Sequence, residues 1–174
     1  MGDPVAWSLR QEVTPADREV VRAIVASTGF FHPYEVEVAV ELIEERLAKG
    51  AQSGYHFLFA EREGVVHGYA CYGLIACTQA SYDLYWLVVE GSHRGQGLGR
   101  VLLAESEDRI RQAGGLRVYA ETSNRPQYAP TRRFYERSGY HLEAVVKDFF
   151  APGDDKAIYV KVIGDVDGNG TARS

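Results

Sequence analysis

The segment HRGQGLG, residues His93–Gly99, carries three glycines at alternate positions, with Arg94 immediately before the first. A strand-like run, YDLYWLVV (82–89), precedes it, and a helix-like run, RVLLAESEDRI (100–110), follows. A loop that leaves a strand and opens a helix presents unpaired backbone N–H groups and the positive end of the helix dipole. Glycine lets a bulky anion approach the main chain, and the arginine adds a fixed positive charge. The segment therefore predicts a phosphate site.

The spacing of the loop excludes two common phosphate-binding motifs. A P-loop requires a glycine–lysine pair, which the chain lacks, and the dinucleotide motif GxGxxG requires glycine where Arg100 stands. A dinucleotide or a triphosphate is therefore disfavoured. Taken alone, the glycines also fit a tight strand-to-helix turn that binds no ligand.

The runs around the loop predict an α+β fold. Residues 82–89 are apolar on both faces apart from Asp83, which is typical of a central strand covered on both sides. The next strand, 116–122, follows the helix and would run parallel to the central one. We expect a mixed, mostly antiparallel sheet with flanking helices. Periodicity and turn residues predict the remaining elements: a strand in 5–13, helices at about 14–29, 35–49 and 126–137, a hairpin of 55–61 with 65–77, and strands near 140–149 and 156–163.

The length and composition indicate the class of protein. The 174 residues suit one domain, 1–163, followed by a polar tail, 164–174, that we expect to be mobile. The chain is 45% hydrophobic and 25% charged, as in soluble globular proteins, and no run approaches the roughly 18 apolar residues of a membrane span. No secretory signal is evident, and Cys71 and Cys77 are expected to be reduced core thiols. We therefore predict a cytoplasmic protein.

The net charge of the chain and the spacing of its histidines indicate which kinds of partner and ligand it binds. A net charge of -5 disfavours nucleic acid and favours a cationic or amine-bearing partner. We expect a monomer or a homodimer with no membrane partner. The histidines lack the spacing of metal ligands, so no metal site is predicted; they are His32, His56, His67, His93 and His141.

Two spaced motifs resemble those of a known family. Residues 89–99 read V-x-x-x-x-R-G-x-G-x-G and precede an amphipathic helix, which resembles the acetyl-coenzyme A (acetyl-CoA) motif of the GCN5-related N-acetyltransferases (GNATs). FYERSGY, 134–140, looks like the second motif of that family, an aromatic helix end that leads into a strand. The predicted order of elements from residue 5 to 163 follows the family fold. The resemblance implies an enzyme that moves an acetyl group from acetyl-CoA directly to a primary amine of a small molecule or a peptide.

The resemblance also implies where acetyl-CoA binds. Its pyrophosphate would lie on the amides of the glycine loop, and its pantetheine arm along the edge where strands 82–89 and 116–122 diverge. Three family positions differ. Tyr128 replaces a frequent asparagine, Thr131 replaces a frequent alanine, and Gly91 replaces a frequent proline with little expected consequence. The implied cofactor-binding residues are Leu87, Val88, Val89, Arg94, Gly95, Gln96, Gly97, Leu98, Gly99, Arg100 and, as the candidate in place of the missing asparagine, Asn124.

The reaction needs a neutral amine, an acceptor for its proton, and a proton for the leaving thiolate. Tyr135 matches the family's tyrosine for the last role; the alternative is an aromatic side chain that packs on the sheet. For the base, the chain offers Glu121 at the end of its strand, which we favour, and Asp83 on the adjacent strand. Either carboxylate could equally be an ordinary solvated group.

The family's acceptor site is usually built by the first helix connection and by the strands opposite the cofactor. Here the connection is FFHPYE, 30–35, and the strands carry several tyrosines. Aromatic residues favour a partly apolar or cationic amine, although they also fill protein cores. The implied substrate-binding residues are Phe31, Tyr34, Tyr72, Asp83 and Tyr85.

Two other functions remain open at this point. A non-catalytic acyl-CoA-binding module would sense or regulate through a partner, and it would not need a proton donor near the sulfur. Association with RNA or protein through Arg132, Arg133 and Arg137 is disfavoured by the acidic net charge.

Overall fold

A computed structural model describes residues 7–164. Its strands form one sheet in the order β1-β2-β3-β4-β5-β7-β6, in which β4 and β5 are parallel and the pairs β1–β2, β2–β3, β5–β7 and β6–β7 are antiparallel. The predicted α+β fold is thereby confirmed. The elements are β1 Ser8–Arg10, α1 Asp17–Ser27, α2 Pro33–Lys49, β2 His56–Arg62, β3 Val65–Leu74, β4 Ser81–Val89, α3 Leu98–Gln112, β5 Arg117–Ser123, α4 Ala129–Arg137, β6 His141–Ala151 and β7 Asp154–Val162.

The described residues fall into two compact units. Unit 1 comprises 7–73 and 86–106, and unit 2 comprises 74–85 and 107–164. A single domain over 1–163 stays a prediction. Residues 165–174 of the predicted mobile tail lie outside the described residues. No helix between residues 7 and 164 combines the length and apolar character needed to cross a bilayer.

Unit 1 is organised around a hairpin packed against two helices. The hairpin of β2 and β3 turns at Glu63 and Gly64, whose φ angles of 54° and 78° are those that a two-residue turn requires. Apolar residues of α1 and α2 share one core with this hairpin, since their spacing places them on one face of each helix. The core comprises Val21, Ile24, Val25, Val36, Ala39, Val40, Ile43, Phe57, Phe59, Tyr69, Cys71 and Val88.

The two cysteines differ in their environment. Both are unbridged; Cys71 is buried, whereas Cys77 is exposed. The expectation of two core thiols is therefore wrong for Cys77. The reason is that β3 ends at Leu74, so strand periodicity no longer applies three residues later.

Unit 2 contains the parallel pair of strands. The ladder joins 81–84 of β4 to 117–120 of β5, and both strands continue beyond it, to Val89 and Ser123. On β4, Tyr82 and Leu84 are buried, but Tyr85 is 39% exposed. The prediction that both faces of this strand are covered is therefore wrong at Tyr85. An apolar sequence cannot distinguish a face that packs in the core from one that is left open.

Candidate active site

The glycine loop adopts a conformation that requires glycine. Gly95 and Gly97 have φ angles of 76° and 84°, which other residues rarely adopt. A Cβ atom built on either residue would meet no heavy atom within 4 Å. The glycines thus set the path of the backbone, and the space beside them is open to a ligand.

The loop presents the first amides of α3. The N–H groups of Arg100 and Val101 donate to the carbonyl oxygen of Gly97 at 3.0 and 3.2 Å, so the helix begins at Leu98. The preceding amides, of Leu98 and Gly99, have no acceptor within the helix, as at every helix start. The Leu98 side chain is 1% exposed and lies beside Gly68 of β3, which anchors this end of the helix. The geometry suits an anion.

Arg94 lies at the entrance of the loop. Its guanidinium carbon lies 4.7 Å from the centre of the Phe30 ring, which positions the side chain through a cation–π contact. No ion pair to a carboxylate is recorded for it within residues 7–164. The charge is therefore available to a phosphate. Arg100 and Gln96 are exposed beside it, and the Gln96 amide donates to the Ser92 carbonyl at 3.3 Å.

Tyr135 is a nearly buried tyrosine in unit 2. It is 7% exposed, packs edge-on against Tyr140 and stacks on Tyr159, with ring centroids 5.4 and 6.0 Å away. Burial raises the pKa of Tyr135, so the hydroxyl stays protonated at neutral pH. Within the described part of the chain, no hydrogen bond is recorded for this hydroxyl. It can therefore donate to a bound ligand.

Two carboxylates lie together on the sheet of unit 2. Burial raises the pKa of Asp83 to about 6, and the negative charge of Glu121 acts in the same direction. Glu121 itself is exposed and accepts a hydrogen bond from the ammonium group of Lys156 at 2.9 Å. A base with a pKa near 6 is ionised at pH 7 and still accepts protons effectively. On these grounds Asp83 is better suited to be the base than Glu121.

The strand register separates the acid from the base. Asp83 and Glu121 lie on one face, because the parallel register pairs 83 with 119 and the two strands alternate in step. Tyr159 pairs with Ala120 and therefore lies on the opposite face, where Tyr135 stacks on it. The candidate acid and the candidate base are thus on opposite faces of this part of the sheet.

The predicted acceptor residues fall in both units. In unit 1, Phe31 packs edge-on against Trp86 at 5.2 Å, Tyr34 is 67% exposed, and Tyr72 is buried and stacks on His56 at 5.4 Å. In unit 2, the exposed ring of Tyr85 lies on the same face of β4 as Asp83. Tyr72 is therefore largely a core residue, whereas Tyr34 and Tyr85 are accessible to a ligand.

Asn124 lies in a rearranged connection before α4. A short 3-10 turn, Pro126–Tyr128, precedes the helix, and the Arg132 guanidinium donates to the carbonyls of Ser123 and Arg125 at 3.0 and 2.9 Å. The Asn124 N–H donates to the Asp155 carbonyl at 2.8 Å. The connection is thus held by the Arg132 side chain and by the main chain of Asn124.

Two features were missed by sequence reasoning. The Gly91 N–H donates to the Ser27 hydroxyl at 3.2 Å, and a Cβ on Gly91 would lie 3.0 Å from the Ser27 carbonyl oxygen. Replacing proline by glycine here therefore has a structural consequence, because proline has no N–H to donate. The second feature is a cluster of His67, Glu90 and His93, which are distant in sequence but lie side by side. No local spacing could have indicated it.

The chain is similar to known proteins in both sequence and fold. The model of the acetyltransferase (GNAT) family matches residues 21–140. A GNAT-family crystal structure from Desulfovibrio desulfuricans is 50% identical, with a TM-score of 0.90, over 91% of this chain and 100% of that chain. No curated protein matches the chain.

Two more distant structures share the fold. The ribosomal-protein-S18-alanine N-acetyltransferase of Escherichia coli is 17% identical, with a TM-score of 0.75, over 94% of this chain and 98% of that chain. The yncA structure from Salmonella typhimurium, solved with acetyl-CoA, is 21% identical, with a TM-score of 0.72, over 94% of this chain and 97% of that chain.

Proposed function

Because the chain belongs to the GNAT acetyltransferase family, we propose that it transfers an acetyl group from acetyl-CoA directly to a primary amine of a small molecule or a peptide. The observation that carries this proposal is the glycine loop. Its positive φ angles, the open space beside Gly95 and Gly97, and the exposed Arg94 are the features that a pyrophosphate needs. Acetyl-CoA supplies the acetyl group as a thioester.

The cofactor lies against the main chain in this proposal. The amides between Arg94 and Arg100, including the unpaired ones of Leu98 and Gly99, receive the pyrophosphate. The main chain at Leu87, Val88 and Val89 pairs with the amide groups of the pantetheine arm, as an added strand would. The Val88 side chain is buried in the core of unit 1, which holds this backbone in place. An N–H of this segment polarises the thioester carbonyl, where negative charge develops during attack.

Asp83 is the base in this proposal, rather than Glu121. The amine must lose a proton to the protein on attack, and a carboxylate with a pKa of about 6 accepts that proton at neutral pH. Glu121 raises the pKa of Asp83 through its negative charge, and Lys156 acts in the opposite direction. The ion pair between Glu121 and Lys156 therefore influences the pKa of Asp83.

Tyr135 is the hydrogen-bond donor to the leaving thiolate. Its raised pKa keeps the hydroxyl protonated, and packing between two tyrosines fixes the direction in which it points. Asp83 and Tyr135 belong to opposite faces of the sheet, so both can reach one thioester only where β4 and β5 are no longer paired, beyond Leu84 and Ala120.

The acceptor is a primary amine that is cationic in water. Asp83 and Glu121 attract an ammonium group, and the exposed ring of Tyr85 adds a cation–π surface beside them. Within unit 1, the exposed Tyr34 and the Phe31 ring packed on Trp86 stay candidate acceptor residues. We also propose a cytoplasmic location, which the two unbridged cysteines support.

The proposal is tested by the release of free thiol from acetyl-CoA in the presence of a panel of amines that includes amino acids, polyamines, aminoglycosides and peptide N-termini. We expect thiol release that depends on one class of amine and yields the acetylated amine. If the chain binds acetyl-CoA tightly but turns over none of the panel, the non-catalytic sensor is the better account.

The substitution Arg94→Ala is expected to weaken acetyl-CoA binding by roughly ten- to hundredfold, since a charge-assisted contact is worth about 1.5–3 kcal/mol. Isothermal titration calorimetry measures the effect directly. Arg133→Ala, which removes an exposed arginine on α4, is the matched control and should leave the affinity unchanged. Equal affinities of the Arg94→Ala variant and the original chain would contradict the loop assignment.

A further inference from the structure

Three side chains with metal-binding groups meet in unit 1. His67 lies on β3, Glu90 directly follows β4, and His93 ends the 3-10 turn Gly91–His93. One carboxylate oxygen of Glu90 lies 2.8 Å from Nδ1 of His67 and 2.9 Å from Nδ1 of His93. Three potential ligand atoms, one from each residue, lie within 4.8 Å of one another.

The separation of these atoms is close to that of a zinc site. Two histidines and one carboxylate form a known ligand set for zinc, with a fourth position open to water. In a tetrahedral site, neighbouring ligand atoms are about 3.4 Å apart, because zinc–nitrogen and zinc–oxygen bonds are about 2.0–2.2 Å long. The imidazole–carboxylate distances of 2.8 and 2.9 Å are slightly shorter. A small outward rotation of the three side chains would therefore open room for an ion.

The surroundings hold both imidazole rings in place. The Trp7 ring packs edge-on against His67 and His93, at 5.7 and 6.1 Å between centroids, and the Arg62 guanidinium covers Trp7 at 3.8 Å. The main chain is also fixed, since the Glu90 N–H donates to the His67 carbonyl at 2.8 Å. These contacts restrict the orientations that the two rings can adopt.

The cluster is also accessible to an ion from solvent. The side chains of His67, Glu90 and His93 are 17%, 35% and 23% exposed. The two imidazole rings lie with their centroids 4.0 Å apart, so a single divalent cation can reach both rings and the carboxylate at once.

We propose that His67, Glu90 and His93 bind one divalent transition-metal ion of the zinc class. Because His93 immediately precedes Arg94, the ion would tie the entrance of the glycine loop to β3. The inference rests on these side chains alone and does not depend on acetyl transfer.

The test is zinc binding to the full chain after removal of metal with a chelator. Isothermal titration with zinc chloride is expected to give one ion per chain, with a dissociation constant in the micromolar range or lower. His67→Gln and Glu90→Gln should each weaken binding by about tenfold or more. His141→Gln is the matched control, because His141 pairs with Glu143 at 3.2 Å but is not part of the three-ligand group.

A second measurement keeps the proposal testable if a variant fails to fold. Cobalt(II) added to the unmodified, metal-free chain should give the intense visible absorption of four-coordinate cobalt, and one equivalent of zinc should abolish it. Circular dichroism establishes whether each variant is folded. The proposal is wrong if the unmodified chain takes up no stoichiometric zinc, or if folded His67→Gln and Glu90→Gln variants bind zinc as tightly as the control.

Discussion

Asp83→Asn is expected to lower kcat/KM for acetyl transfer at pH 7 by roughly a hundred- to ten-thousandfold, the range for loss of a general base. Asparagine keeps the shape of the side chain but cannot accept a proton. Binding of acetyl-CoA, measured by titration, should change little. Glu121→Gln is the comparison variant, and its loss of activity should be much smaller, because Glu121 acts only through its charge.

The pH profile makes this prediction more specific. A base with a pKa of about 6 accepts protons only when ionised, so kcat/KM should fall as the pH is lowered through about 6. Glu121→Gln removes a negative charge that raises the pKa of Asp83, so the acidic limb of the profile, where kcat/KM falls, should move to lower pH. Lys156→Met removes a positive charge that lowers the pKa of Asp83, so the acidic limb should move to higher pH. A limb that persists unchanged in Asp83→Asn would show that another group is the base.

Tyr135→Phe is expected to lower kcat by about a hundredfold while the affinity for acetyl-CoA stays nearly constant, since only the hydroxyl that stabilises the leaving thiolate is removed. The ring still packs between Tyr140 and Tyr159, so the fold should be unaffected. Initial rates of thiol release at saturating acetyl-CoA measure the change.

The neighbouring tyrosine provides the control for this substitution. Tyr140 is also buried, and both burial and the neighbouring Glu107 carboxylate raise the pKa of its hydroxyl. Tyr140→Phe should retain the activity of the unmodified chain. Equal rates for Tyr135→Phe and Tyr140→Phe would remove Tyr135 from the mechanism and leave it a packing residue.

Local sequence signals predicted most of the fold. A short run that is apolar on both faces identified β4, and Glu63-Gly64 identified the hairpin turn, because each of these signals acts over only a few residues. The glycine loop was recognisable for the same reason, since its positive φ angles are a property of the loop itself. The exposure of Tyr85 could not be predicted, because it depends on which elements cover a strand.

The choice between the two carboxylates also depended on tertiary structure. Glu121 was the favoured base from its position at the end of β5, but Lys156, on β7, pairs with it. Partial burial of Asp83 then makes its pKa the more suitable one. Likewise, 23 residues separate His67 from Glu90, so only the folded chain brings the metal-binding groups together.

The central claim is that the glycine loop receives the pyrophosphate of acetyl-CoA. Backbone amide shifts in an NMR titration with acetyl-CoA test it most directly, with acetyl-pantetheine, which lacks the pyrophosphate, as the comparison. The account predicts that the amides from Gly95 to Arg100 shift strongly with acetyl-CoA and little with acetyl-pantetheine. Saturation of the chain with acetyl-CoA while those amides stay unchanged would contradict it.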